Sequence, residues 1–213
     1  MKLKLNTCLL VTIASLMFIT FFSCNTDDKN LNLPKSPQSI SPLIIGKKIP
    51  DMMLTDIYGN EVNLKKIISE RPTILVFYRG IWCMYCNQQI SQLREINQLL
   101  SEMGYQVIAV SSDKLSKNIE MMQKYELEFP ILSDSTLSGA KSLGIAYDAS
   151  EIYKGMFLVL EENSGTNHHI LPVPAVFILN QEGTIIFEYI NPDFKIRISP
   201  ELLISAAKFA FEQ

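Results

Sequence analysis

The sequence predicts an α/β domain: a mixed central sheet flanked by helices, with a β-hairpin added at the N-terminal end. Three observations carry this. Two short, continuously apolar, β-rich runs, 73–78 and 105–111, are each followed by a stretch of helical periodicity. Two later apolar runs, 174–179 and 184–189, flank a turn around Glu182-Gly183, the pattern of an antiparallel hairpin. The last segment is helical again. A β-α-β-α beginning closed by β-β-α requires both parallel and antiparallel pairing in one sheet.

The elements follow in order. Residues 49–54 and 61–64 flank a turn at Tyr58-Gly59-Asn60 and read as the N-terminal hairpin. Residues 73–78 form the first core strand. The helix that opens after Cys86 runs to about Met103 and stops at Gly104. A second buried strand covers 105–111. The helix over 116–126 puts Ile119, Met122 and Tyr125 on one face. A short strand at 129–132 precedes a short helix at 137–143, closed by Gly144. Residues 147–171 are expected to be a loop, with an apolar patch at 156–160 and a polar tip at 161–169. Ser199-Pro200 starts the final helix, with a Ser cap and a Pro at the first helical position.

The chain has 213 residues, 47% of them hydrophobic, enough for one substantial core. Its beginning does not belong to that core. Lys2 and Lys4 precede the apolar stretch 9–22, and a small residue, Ser23, ends it, which reads as a secretory signal over 1–23. Cys24 directly after Ser23 resembles the bacterial lipoprotein signal, in which that cysteine is lipidated and becomes the mature N-terminus. The departure is the aromatic pair Phe21-Phe22. Residues 24–41, rich in Asn, Asp, Lys, Ser and Pro, read as a flexible tether, leaving 42–213 as the folded domain. The expected location is exported and membrane-anchored, as a periplasmic or outer-membrane lipoprotein. Loss of residues 1–23 removes two of 19 basic residues against 22 acidic ones, taking the net charge from −3 to −5. That sign argues against nucleic acid as a partner and against attraction to lipid by charge.

The chemistry is concentrated at Trp82-Cys83-Met84-Tyr85-Cys86, where the first buried strand ends and a helix begins. The first helical turn offers unpaired N–H groups and the positive end of the helix dipole, so a thiolate there is stabilised. With Cys8 in the signal and Cys24 taken by lipid, Cys83 and Cys86 are the domain's two thiols, and any redox cycle runs through them. A structural disulfide closing so short a loop adds little stability. A zinc site needs two further ligands, and the histidines, His168 and His169, lie in the polar loop. The residues thus point to thiol redox work without a cofactor or metal.

The order strand, Trp-Cys-x-x-Cys, helix, strand, helix, then a proline opening a late hairpin resembles the thioredoxin fold. Within it, 77–87, 129–134, 171–178 and 191–197 are similar to the peroxiredoxin-like branch of the alkyl hydroperoxide reductase/thiol-specific antioxidant family, and the likeness spans roughly 43–212. The resemblance implies a peroxidase that reduces hydroperoxides with electrons from a thioredoxin-like reductant. It also implies a cis peptide bond before Pro174, whose backbone would face the sulfurs. Two registers compete. Set on the peroxiredoxin pattern through Phe77-Tyr78, Cys86 takes the peroxide-attacking position, Cys83 stands where a Thr belongs, and Arg79 replaces a Pro. Set on the thioredoxin pattern, Cys83 attacks and Cys86 resolves. With that Thr missing, the peroxide would be held by backbone N–H groups and by Arg79 or Arg197. Trp82, Tyr85 and Val173 are expected to form a contact surface for a partner. The alternative activity is thiol–disulfide exchange on protein disulfides, and a third reading is a non-catalytic binding module, against which the intact cysteine pair argues.

Overall fold

The computed structural model describes residues 33–211. The expected signal over 1–23, the expected lipid site Cys24 and the first part of the expected tether lie outside the described residues. Elements are numbered here in chain order. Strands β1 (Met53–Thr55) and β2 (Glu61–Asn63) pair antiparallel as the expected hairpin, and β1 joins the sheet edge through Thr55 opposite Ser133. The second arm ends sooner than the sequence suggests, because Leu64 opens a short helix, α1 (Leu64–Ile68). Asn63 caps that helix, its Oδ1 accepting the Lys66 N–H at 3.2 Å.

The main alternation follows as β3 (Thr73–Tyr78), α2 (Met84–Glu102), β4 (Gln106–Ser111), α3 (Leu115–Tyr125), β5 (Ile131–Ser133) and α4 (Ser138–Ser142). After an insertion come β8 (Ala175–Leu179), β9 (Ile185–Ile190) and α6 (Pro200–Phe211). The seven-stranded sheet has the order β2-β1-β5-β4-β3-β8-β9. Strand β3 is central, parallel to β4 and antiparallel to β8, and every one of its residues is buried. Alternation decides what each residue touches. Ile74, Val76 and Tyr78 share a core with Ile90 and Leu93 of α2, Met121 of α3 and Leu203 of α6. Leu75 and Phe77 face the other way, onto Leu64 and Ile68 of α1 and Ala140 of α4. With apolar burial of about 1.5–3 kcal/mol per large side chain, two such layers fix the strand and hence the loop that leaves it.

Residues 147–171 are not a loop. Strands β6 (Ala146–Asp148) and β7 (Ile170–Pro172) pair antiparallel and enclose helix α5 (Phe157–Ser164). Their small core, Tyr147, Ala149, Leu160, Leu171 and Val173, extends to Trp82 beside the cysteines. The tether also differs from expectation over 33–41. Leu33 and Ile40 pack on the domain, and the Pro34 carbonyl accepts the Asp148 N–H at 2.9 Å. The packed unit begins at Leu33. Apolar residues spaced among polar ones suffice for this docking although they show no periodicity.

Candidate active site

The site is assembled on the loop 79–83, between the C-terminal end of β3 and the start of α2. Gly80 has φ +131, a conformation that L side chains rarely adopt, and a Cβ there would lie 2.3 Å from Asp113 Oδ1. Only glycine lets the loop pass this close. The Ile81 N–H donates to Asp113 Oδ2 at 2.7 Å, and the Ser112 hydroxyl donates to the Arg79 carbonyl at 2.8 Å. The turn just past β4 thus holds the chain two residues ahead of Cys83. Asp113 is fully buried and its Oδ1 has no hydrogen-bond partner; burial raises its carboxyl to about 7.

Cys83 is the N-cap of α2 and Cys86 lies one turn in; both are free thiols. Cys83 is 4% exposed and Cys86 is not exposed at all. The Cys83 thiol falls from 9.0 to about 6, first because the Cys86 thiol hydrogen-bonds to it, then because the guanidiniums of Arg79 and Arg197 favour its anion over the opposing effect of burial. The helix N-terminus acts in the same direction, contributing at most about 2 kcal/mol. Cys86 moves the other way, pushed well above 9.0 by complete burial and by its neighbour's charge. Of the two registers, the one with Cys83 attacking agrees with this order of acidities and with the deeper burial of Cys86.

Both candidate arginines reach the pair. Arg197 donates from Nη2 to Cys86 Sγ at 3.3 Å, from Nη1 to Gln89 Oε1 at 2.9 Å and from Nε to the Phe194 carbonyl at 2.9 Å. Arg79 is 2% exposed, and its Nε and Nη1 have no hydrogen-bond partner. Its charge is enclosed by three rings instead: Phe194 at 4.2 Å, Trp82 at 4.6 Å and Tyr153 at 4.9 Å from the guanidinium carbon. Cation–π contact of about 2 kcal/mol per desolvated ring offsets part of that burial.

The remaining expectations divide. Trp82 and Tyr85 are half-buried, Trp82 edge-on to Tyr153 and Tyr85 edge-on to Phe194, while Met84 between the cysteines is the outward residue at 72% exposure. Val173 is wholly buried in the core of the insertion, so its side chain is not part of a partner surface. The cis bond before Pro174 is corrected as well: the Val173–Pro174 bond is trans. The Val173 N–H donates to the Ile145 carbonyl at 2.8 Å, prolonging the β6–β7 pairing, and Pro174 leads directly into β8. The favoured trans form satisfies both, and no tight turn demands the alternative. His168 Nε2 pairs with the Ser135 carbonyl, and His169 stacks on Phe157 while pairing with Glu161.

Sequence reasoning missed Asp113, Tyr153, Phe194 and Gln89. Asp113 carried a usable signal: it follows a buried parallel strand at its carboxyl end, where α/β sheets place their sites. Gln89 lies one turn past Cys86 on the same helix. Tyr153 and Phe194 come from distant segments and carry no local mark.

A buried dithiol at a strand-to-helix junction, on a mixed sheet with helices on both faces, defines a thioredoxin-fold redox protein. The chain belongs to the AhpC/TSA family, whose pattern matches residues 45–188. It is 22% identical over 152 residues to the thiol-disulfide oxidoreductase ResA of Bacillus cereus, covering 71% of this chain and 72% of that protein. It is 27% identical over 125 residues to the chloroplastic peroxiredoxin Q of Oryza sativa subsp. japonica, covering 59% and 57%. In structure it is similar to reduced Prx3 from Vibrio vulnificus in complex with hydrogen peroxide, with a TM-score of 0.66 at 13% identity over 78% of this chain and 99% of the other. Peroxidoxin BcpB from Mycobacterium tuberculosis gives 0.61 at 16% identity, over 79% and 96%.

Proposed function

We propose that the protein reduces hydroperoxides through Cys83 and Cys86 and is recharged by a thioredoxin-like dithiol. The observation that carries this is the setting of Cys83: an acidic thiol, 4% exposed, whose anion is favoured by the guanidiniums of Arg79 and Arg197, neither of which is ion-paired to a carboxylate among the described residues. A peroxide expels an alkoxide or hydroxide, far more basic than the thiolate expelled from a disulfide, so it gains more from charged donors placed in advance. A nearly buried sulfur also admits a small molecule more readily than the surface of a protein disulfide.

In the cycle the Cys83 thiolate attacks the terminal peroxide oxygen. The S–O bond forms, the O–O bond breaks, and the alkoxide takes a proton from solvent and leaves as alcohol. Cys86 then attacks the sulfenic sulfur, the S–S bond forms, and the hydroxyl departs with the Cys86 proton as water. Two electrons and two protons from the external dithiol restore the pair.

Disulfide exchange is the second reading, favoured by the order of acidities, a reactive first cysteine backed by a buried second one. Stopped-flow oxidation of the reduced protein by hydrogen peroxide, followed by Trp82 fluorescence, separates the two. A rate no higher than that of a free thiol excludes the peroxidase and leaves exchange. The sequence of 1–24 supports a further proposal: export, cleavage after Ser23, and a lipid on Cys24 that holds the domain at a membrane. Metabolic labelling with a fatty acid, lost in Cys24→Ala, tests it.

A further inference from the structure

Beside the dithiol lies a cavity of about 220 Å³ lined by Tyr85, Gln88, Gln89, Gln92, Lys195 and Arg197. Its charge is one-sided. Arg197 and Lys195 are both cationic, three carboxamides supply N–H donors, and no carboxylate lines it. The nearest acid in sequence, Asp193, accepts the Lys195 backbone N–H instead of its ammonium group. Arg197 is also held in place, pinned at three nitrogens to Phe194, Gln89 and Cys86. A positive group that is already ordered gives up little entropy when an anion arrives. The same guanidinium touches Cys86, so an anion here sits one side chain from the reacting pair.

We propose that this cavity receives the carboxylate of a short organic acid whose other end carries the hydroperoxide. The proposal rests on the peroxide reading above and names its substrate class. The cavity is smaller than the ~300–1,000 Å³ that encloses a drug-sized ligand, which favours a short acid. Gln88, Gln89 and Gln92 donate to the carboxylate oxygens, Lys195 and Arg197 supply the charge, and the peroxide end is directed toward Cys83. The redox step is the one already given: the O–O bond breaks, the S–O bond forms, and the product is the corresponding hydroxy acid.

The test compares three probes on the reduced protein: tert-butyl hydroperoxide, a tertiary hydroperoxide carrying one carboxylate, and the methyl ester of that acid. The acid is expected to show a KM about tenfold below its ester's, a gap typical of one well-placed charge contact. Lys195→Met should close the gap to about twofold and leave the rate with tert-butyl hydroperoxide unchanged. Calorimetric titration of Cys83→Ser/Cys86→Ser with isovalerate should detect binding that Lys195→Met weakens. Reaction with tert-butyl hydroperoxide without acid preference and without isovalerate binding overturns the cavity assignment and leaves the peroxide reading standing. Reaction at only the free-thiol rate overturns the peroxide reading itself, and the substrate assignment with it.

Discussion

Arg197 donates to the Cys86 sulfur at 3.3 Å, so the most buried thiol of the pair is the one with a cation in contact. Complete burial holds the Cys86 proton on, and the guanidinium is the main counterweight when that proton must leave. The contact therefore bears on the second half of the cycle, where Cys86 attacks, more than on the first.

Arg197→Met keeps the bulk of the side chain and removes the charge. A charged hydrogen bond of about 1.5–3 kcal/mol predicts a slowing of disulfide formation by about ten- to a hundredfold. The sulfenic acid on Cys83 should then persist, and trapping it with dimedone, resolved by mass spectrometry, measures the change. Unaltered lifetime of the sulfenate would show that Arg197 does not assist Cys86.

Cys83 should behave as the acidic thiol. Its alkylation by iodoacetamide is expected to rise with pH through about 6 and level off by pH 7, while Cys86 stays unmodified over that range. Replacing Arg79 by Leu removes one of the charges that favour the thiolate, and the midpoint should move upward. Peptide mapping after alkylation assigns the modified sulfur; labelling of Cys86 first would reverse the order of attack.

Much of this was legible locally. Ile74 to Phe77 is apolar at every position because both faces of β3 are covered, and Gly104 ends α2 in the left-handed conformation that its residue type favours. The Cys83/Cys86 junction was equally plain. Helix α5 was not: Leu158 is 83% exposed and Val159 38%, so the run 157–160 shows no buried stripe with a helical period. Arg79 displays the same limit at the site. Its burial comes from Tyr153 and Phe194, brought in by the insertion and by the segment after β9, so no pattern near residue 79 discloses it. Val173 was expected at a partner surface, whereas its pairing to Ile145 carries it into the core of the insertion, which local sequence does not disclose.

Tyr153 packs against Arg79 and Trp82, neighbours of Cys83 in the loop 79–83, and is expected to form part of a wall that shields the sulfur. Tyr153→Ala should open that wall. Modification of Cys83 by a bulky maleimide is expected to accelerate about tenfold, while the small reagent iodoacetamide gains much less. The loss of packing for a half-buried aromatic should remain below the ~3–5 kcal/mol of a core truncation. Equal acceleration for both reagents would mean general loosening rather than removal of a gate.

Asp113 offers a test through stability. Its folded carboxyl is raised to about 7 from 3.8, chiefly by burial, despite the Ile81 N–H and the field of Lys117. In this interval the folded state keeps a proton that the unfolded state has released. Stability therefore falls as pH rises from about 4 to about 7, by up to about 4 kcal/mol for this group. Asp134 also titrates high, near 6, but it is present in both proteins and cancels in a difference. Urea unfolding of the native chain and of Asp113→Asn at pH 4, 6 and 8 isolates Asp113. The variant is expected to be the less stable protein at pH 4, where Asp113 is protonated and its Oδ2 still accepts from Ile81. It should gain on the native chain by pH 8. A difference between the two proteins that does not vary with pH would show that Asp113 is already ionised in its buried site, and that the loop ahead of Cys83 rests on a full negative charge.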